Sequence, residues 1–221
     1  MAIFLIVLSC IVLGYLFGSI PSSVIIGKVF FHKDVRDYGS KNAGGTNAGR
    51  VFGKKVGLIV IFLDILKTII PIYAAYCVLA YTSLNQYSMQ ELGYIITAFS
   101  CLIGHCFPIF AQFKGGKAVS SFAAICIATN WLITLVGLFV FLLILKLKKY
   151  VSLSSILTSI FLTLFSLLDI YVFNGLGMWL FPSSIYYFVL LLCSTILLII
   201  RHHANISRLV HHEERKITWM K

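Results

Sequence analysis

The chain has 221 residues, 60% of them hydrophobic and only 11% charged, with a mean hydropathy of +0.97. A soluble domain is about half apolar and about a quarter charged, so an ordinary soluble globule, a disordered chain and a disulfide-built secreted scaffold are excluded in favour of a polytopic helical membrane protein. Eighteen Lys and Arg stand against seven Asp and Glu, a net charge of +11, which in such a chain belongs to loops on one membrane face rather than to nucleic-acid binding.

The first apolar run, 2–27, has no basic residue ahead of it and is expected to stay as a span rather than be cleaved. A second run, 56–81, holds Asp64 and Lys67 inside it, and a third covers 93–113. Residues 118–145 are ambiguous, because they form either one span or two short helices hinged near Asn130-Trp131. Further runs cover 150–173 and 183–200, and a basic tail follows over 201–221. About 20 residues per crossing leaves room for at most about nine crossings, so a single membrane domain over 1–221 is expected.

The charges arbitrate the ambiguous run. Lys and Arg number seven in 28–55, two in 114–117, three in 146–149 and five in the tail, while loops 82–92 and 174–182 hold none. Splitting 118–145 puts seventeen of the eighteen on one side, the exception being Lys67. The positive-inside rule then favours an all-α bundle of seven transmembrane helices over six or five, with the N-terminus outside and the C-terminus cytoplasmic. Each half of 118–145 is only about 14 residues, short for a core of roughly 30 Å.

The six cysteines, Cys10, Cys77, Cys101, Cys106, Cys126 and Cys193, sit in apolar stretches without a C-x-x-C pair. They read as small buried hydrophobes rather than zinc or redox ligands. His211 and His212 lack a carboxylate or cysteine partner at ligand spacing, so no metal and no cofactor is expected. His32 and Asp37 match the H-x-x-x-x-D pattern of a large acyltransferase class, but two fixed positions are a weak signal without that class's flanking context.

Polar chemistry gathers in three blocks. Residues 34–50 carry Ser40, Asn42, Thr46, Asn47 and Arg50 among glycines. Small residues let the backbone turn tightly and expose N–H groups, and hydroxyl, amide and guanidinium groups donate to anions. The block suits phosphate better than it suits a plain solvated connector. The second is Gly104-His105-Cys106-Phe107-Pro108, then Lys114-Gly115-Gly116-Lys117-Ala118. Its two glycines between lysines allow close backbone approach to a phosphate, though the pattern is no Walker A loop. A lone His105 at a span end is more often structural than catalytic. The third block runs from Arg201 through His202, Asn205 and Arg208 to Glu214, with spacings of three that put the first residues near one helical face. Asp64 and Lys67, three apart within a span, suit mutual pairing, either as a structural pair or as a site-facing one.

In this order the blocks resemble the bacterial acyl-phosphate-dependent glycerol-3-phosphate acyltransferase family. Residues 34–50 are similar to its D-[IV]-R-x-x-G-S-G-N-x-G-A-T-N-x-x-R motif, and Gly18-Ser19-Ile20-Pro21 to its G-S-I-P. Residues 104–118 resemble its G-H-x-F-P…F-K-G-G-K-G, residues 201–217 its R-H-x-x-N-I-x-R-L…E-x-K-I, and Asp64 with Lys67 its D-x-x-K. The likeness covers nearly the whole chain. It implies transfer of a fatty acyl group from a long-chain acyl phosphate to the sn-1 hydroxyl of glycerol 3-phosphate, giving lysophosphatidic acid and phosphate. It further implies a multi-pass protein of the bacterial cytoplasmic (inner) membrane, with its active site facing the cytoplasm and the bilayer as its other partner.

By motif position, the resemblance assigns Ser40, Arg50, His202 and Asn205 to catalysis. It assigns Asn42, Thr46, Asn47, Lys67, His105, Lys114, Gly115, Gly116 and Lys117 to substrate binding, with 114–117 as the glycerol-3-phosphate loop. Asp64 and Glu214 fall to structural support. Three positions depart from the motifs: Lys41 for glycine, Gly45 for alanine and Ala118 for glycine. Lys41 gives up backbone freedom for charge, and Ala118 weakens its loop if that position takes a positive φ. A small transporter of phosphorylated metabolites is the rival class, but such proteins place binding groups near the midplane rather than on one side.

Overall fold

In a computed structural model, residues 2–80, 87–174, 176–178 and 184–217 are described. The loops 82–92 and 174–182, and the end of the tail, lie partly outside them. The described residues form helices and turns, with one isolated bridge pairing Asn130 and Met178. The chain divides into two compact units, Met1–Ile125 and Cys126–Lys221.

In the first unit, α1 (Ala2–Gly18) and α2 (Ser22–Phe31) flank the Pro21 break. There follow α3 (Gly45–Phe52), α4 (Lys54–Ala80) and α5 (Tyr87–Cys106), and then the start of α6 (Val119–Thr129). Helix α1 packs on α5 and α4. Its approach to α5 depends on missing side chains. A Cβ at Gly14 would meet the Thr97 carbonyl, at Gly18 the Cys101 carbonyl, and at Gly104 of α5 the Tyr15 carbonyl. In lipid, where apolar side chains gain little by leaving the solvent, such close backbone contact is what holds helices together.

Block 34–50 is not a floppy connector. Val24, Val35, Ala43, Ala48 and Val60 form a small buried cluster beneath it, joined by Ile26, Val51, Phe52 and Val56. Phe31 stacks on Phe52 at 4.5 Å.

In the second unit, α7 (Trp131–Lys148) turns back at Lys149 into α8 (Val151–Tyr171), which packs on α9 (Ile185–Arg201). Between α6 and α7 the chain breaks at Asn130, where the sequence places the hinge. The Asn130 side chain accepts from the Ile133 N–H (3.0 Å) and donates to Asp169 (2.8 Å). An N-cap of this kind starts a new helix instead of extending the old one. Between α8 and α9 the Thr163 and Thr195 hydroxyls meet at 2.8 Å. Helix α9 bends by 60° into α10 (His203–Val210).

Among the described residues, five stretches are long and apolar enough to cross a membrane: Ile3–Phe31, Lys54–Ala80, Met89–Ala111, Trp131–Lys148 and Val151–Tyr171. Counted as one span, the bent pair α9–α10 makes a sixth. Only 17% of α7 is buried, and Phe62, Phe139 and Leu147 are largely exposed, the reverse of a soluble protein's distribution. Helix α6, with 11 residues, is about 17 Å long and does not span a core of about 30 Å by itself.

The cysteine reading needs one correction. Cys10, Cys101, Cys106 and Cys126 are buried, but Cys77 is exposed on the flank of α4 and Cys193 is intermediate. An apolar residue in a membrane helix has no reason to turn inward, so an apolar setting alone does not imply burial.

Candidate active site

The site in the first unit is built downward from Asn47. This side chain, 1% exposed, accepts from the Ser40 N–H at 2.8 Å. Its Nδ2 donates to the carbonyls of Val35 (2.9 Å), Tyr38 (3.1 Å) and Asn42 (3.0 Å). All of these bonds go to the loop's own backbone, so Asn47 shapes the block from beneath. Four residues apart on α3, Thr46 and Arg50 are both exposed.

The glycine pair has an equally specific reason. The Gly116 N–H donates to the His105 carbonyl (3.0 Å), and a Cβ on Gly116 would collide with His105 Nε2. A Cβ on Gly115 would collide with the His105 carbonyl. The loop therefore lies flat on His105, itself 4% exposed. Below it, Asp64 Oδ1 accepts from Lys67 Nζ (2.7 Å) and Ser22 Oγ (2.9 Å), with His105 Nδ1 at 3.9 Å. Lys67 Nζ also donates to the Ile20 carbonyl (2.7 Å). A small pocket opens here, lined among others by Pro21, Ser22, Lys67, His105, Gly115 and Gly116. Asp64 and Lys67 thus pair as their spacing predicts, and Lys67 borders the pocket.

Two further contacts join block 34–50 to the glycine loop. Oriented to satisfy both ends of its amide, Asn42 donates to the Gly115 carbonyl and accepts from the Gly44 N–H, each at 3.3 Å. Arg36 donates to both carboxylate oxygens of Asp34 (3.0 and 2.7 Å) and, through Nη1, to the Ala111 carbonyl (2.8 Å). The Arg36 side chain holds the Asp34 carboxyl well below the usual range, at about 2. Sequence reasoning passed over Arg36 and Ser22. Their signals were the Asp34–Arg36 spacing of two and the place of Ser22 directly after Gly18-Ser19-Ile20-Pro21.

In the second unit, His202 sits at the α9–α10 bend, 3% exposed, with Nδ1 2.8 Å from the Leu198 carbonyl. A carbonyl only accepts, so Nδ1 carries the proton, and Nε2 is the basic nitrogen of the neutral ring. Glu214 accepts from Asn205 (2.7 Å), Ser152 (3.0 Å) and Arg208 (2.7 Å). It thereby ties the tail to α10 and α8. Burial raises its carboxyl, but these hydrogen bonds together outweigh burial and hold it below its ordinary value. Its contribution to stability is therefore complete above the unfolded carboxylate pKa of about 4.3 and fades as pH falls through the lower folded value. At pH 7, Glu214→Gln should melt about 5 °C lower than wild type, and the gap should narrow as pH falls below about 4. Melting curves across that range check it.

The departures are also explained. Lys41 (φ 57) and Ala118 (φ 67) both take the left-handed conformation, so each carries a strain of about 1–2 kcal/mol that glycine would not. The condition under which Ala118 weakens its loop is met. Lys41 is exposed and loses no packing on truncation. Lys41→Gly should raise the melting temperature by about 2 °C, less than the full strain because glycine also loosens the unfolded chain. At Gly45 a Cβ would collide with Ile61 and approach the Gly57 carbonyl at 2.9 Å, so Ile61 occupies the room a methyl would need. His32 caps α2 and Asp37 lies in the turn Val35–Asp37, both exposed, and no hydrogen bond or ion pair joins them.

Fold and site define a polytopic helical membrane protein with a donor-rich polar face built on its loops. The family model for glycerol-3-phosphate acyltransferase matches residues 8–212. The glycerol-3-phosphate acyltransferase of Listeria monocytogenes serotype 4a is 41% identical over 227 residues, covering all of both chains. That of Staphylococcus haemolyticus is 39% identical over 212 residues, covering 95% of this chain and 97% of its own. A solved structure of PlsY (YgiH), described as an integral membrane glycerol 3-phosphate acyltransferase in its glycerol 3-phosphate form, superimposes with a TM-score of 0.79. It is 31% identical, and 96% of each chain is covered. The chain belongs to the glycerol-3-phosphate acyltransferase family. It is an integral membrane enzyme of that family, which leaves the transporter reading without support.

Proposed function

We propose that the protein transfers a fatty acyl group from a long-chain acyl phosphate to the sn-1 hydroxyl of glycerol 3-phosphate. The hydroxyl oxygen bonds to the acyl carbon, the bond from that carbon to the phosphate oxygen breaks, and lysophosphatidic acid and inorganic phosphate leave. The observation that carries this reading is the Lys114–Lys117 loop, pressed flat on His105 and tied to the donor-rich block through Asn42. Both substrates bear phosphate, so two sets of donors on one face are what the reaction needs. An acyl phosphate is already activated, which leaves positioning and oxyanion stabilisation as the main protein contributions.

Ser40, Arg50, His202 and Asn205 are assigned to catalysis by motif. Asn42, Thr46, Lys67, His105, Lys114, Gly115, Gly116 and Lys117 are assigned to substrate binding. Asn47 serves binding through the loop backbone it holds, and Asp64 and Glu214 support the structure. His202 is the protein's base by residue type and tautomer, and the donor's phosphate is the alternative base. The matching family model runs through both compact units, which supports a single catalytic domain. The charge distribution supports seven crossings in the bacterial cytoplasmic membrane, with α6 as a short partial span and the polar face in the cytoplasm.

The test uses purified protein in lipid with palmitoyl phosphate and glycerol 3-phosphate, palmitoyl-CoA in parallel, and Ser40→Ala as control. Phosphate and lysophosphatidic acid should form from acyl phosphate only, and not in the variant. Equal turnover of palmitoyl-CoA would overturn the donor assignment.

A further inference from the structure

Arg36 lies outside every substrate-binding assignment made above, yet it is the side chain that joins the first polar block to the segment leading into the glycine loop. Two of its nitrogens grip Asp34, and the third, Nη1, reaches the Ala111 carbonyl at 2.8 Å. The same carbonyl accepts the Lys114 backbone N–H at 3.1 Å. One oxygen atom therefore fixes both the guanidinium and the first residue of the Lys-Gly-Gly-Lys loop.

Between Ala111 and Lys114 the chain does something unfavourable. Gln112 (φ 57) and Phe113 (φ 58) are consecutive non-glycine residues in the left-handed region. Such a pair persists only where the surroundings fix both ends. The downstream end is fixed by the Gly116 N–H on the His105 carbonyl, and the upstream end by the Ala111 and Phe113 N–H groups on the Pro108 carbonyl (3.1 and 2.8 Å) together with Arg36. Phe113 is 57% exposed and supplies little packing to hold the turn.

We infer that Arg36 is a positioning residue, a strap from the Asp34 carboxylate to the Ala111 carbonyl that sets where Lys114 and its loop present their donors to glycerol 3-phosphate. The inference deepens the proposed function and rests on it for the substrate, though not for the geometry. The guanidinium is needed because its planar fork serves a bidentate carboxylate and leaves a third nitrogen pointing elsewhere, which an ammonium cannot do in the same geometry. With its carboxyl ionised down to about pH 2, Asp34 keeps the strap intact throughout the neutral range.

The experiment compares Arg36→Lys and Asp34→Asn with wild type in lipid nanodiscs, by steady-state kinetics and by amide hydrogen exchange over residues 107–118. Arg36→Lys should raise KM for glycerol 3-phosphate about tenfold while leaving kcat and KM for acyl phosphate within about twofold. The Lys114 and Gly116 amides should exchange several-fold faster, with α4 unchanged. Asp34→Asn, which keeps the guanidinium but weakens its anchor, should show the same split at smaller amplitude. Equal losses for both substrates, or unchanged KM with unchanged exchange at Lys114, would overturn the strap. If Arg36→Lys does not insert or fold, Asp34→Asn decides by the same criteria. If wild type itself turns over neither substrate, the proposed function falls, and the exchange result still decides the strap.

Discussion

Gly116→Ala is expected to lower kcat/KM for glycerol 3-phosphate by at least about a hundredfold while leaving the protein folded. The alanine methyl would occupy the position of His105 Nε2. His105 cannot yield, because its ring is buried and its own carbonyl holds the Gly116 N–H. The loop must therefore lift, carrying Lys114 and Lys117 with it. A displacement of about 1 Å of a substrate-positioning group costs on the order of a hundredfold in rate. The global fold should survive, since the loop lies between α5 and α6 and outside both helices. Kinetics with each substrate varied in turn, alongside a melting curve, check this. A Gly116→Ala enzyme with wild-type kcat/KM would show that the loop does not hold glycerol 3-phosphate.

What the sequence revealed and what it hid follow from the same physics. Spans were legible because about 20 apolar residues in a row have one use. The hinge at 130 was legible because asparagine followed by tryptophan interrupts an apolar run with a capping group, and α7 starts there. The break of the first run at Pro21 was not read, since the residues on both sides remain apolar. The polar blocks were legible as phosphate chemistry, but the division of labour inside them was not. Asn42, Asn47, Thr46 and Arg50 look alike as donors. Only packing shows that Asn47 turns inward to hold four backbone groups while Thr46 and Arg50 face out. Arg36 escaped notice because its partner carbonyl lies 75 residues away, and no spacing rule reports a contact with a backbone oxygen.

The Asp64–Lys67 pair carries the largest expected stability effect, and it separates the two readings its spacing left open. Asp64 is 2% exposed and Lys67 7%, and their atoms meet at 2.7 Å. Asp64→Ala leaves the ammonium with the Ile20 carbonyl in place of a counter-ion. Removing one partner of a buried pair costs about 3–5 kcal/mol, because the remaining charge keeps its desolvation penalty. For a chain of this size that is a fall in melting temperature of about 10 °C. Replacing both charges, as Asp64→Leu with Lys67→Met, removes the penalty along with the attraction and should restore most of the lost stability. Activity then discriminates. A purely structural pair predicts that the double variant recovers activity together with stability. Lys67, however, lines the pocket beside Gly115 and Gly116, with the Asp64 carboxylate lying 3.9 Å from His105. The expected result is therefore a double variant that melts like wild type but retains less than about a tenth of its kcat/KM for glycerol 3-phosphate. Full recovery of both would return Lys67 to a structural role.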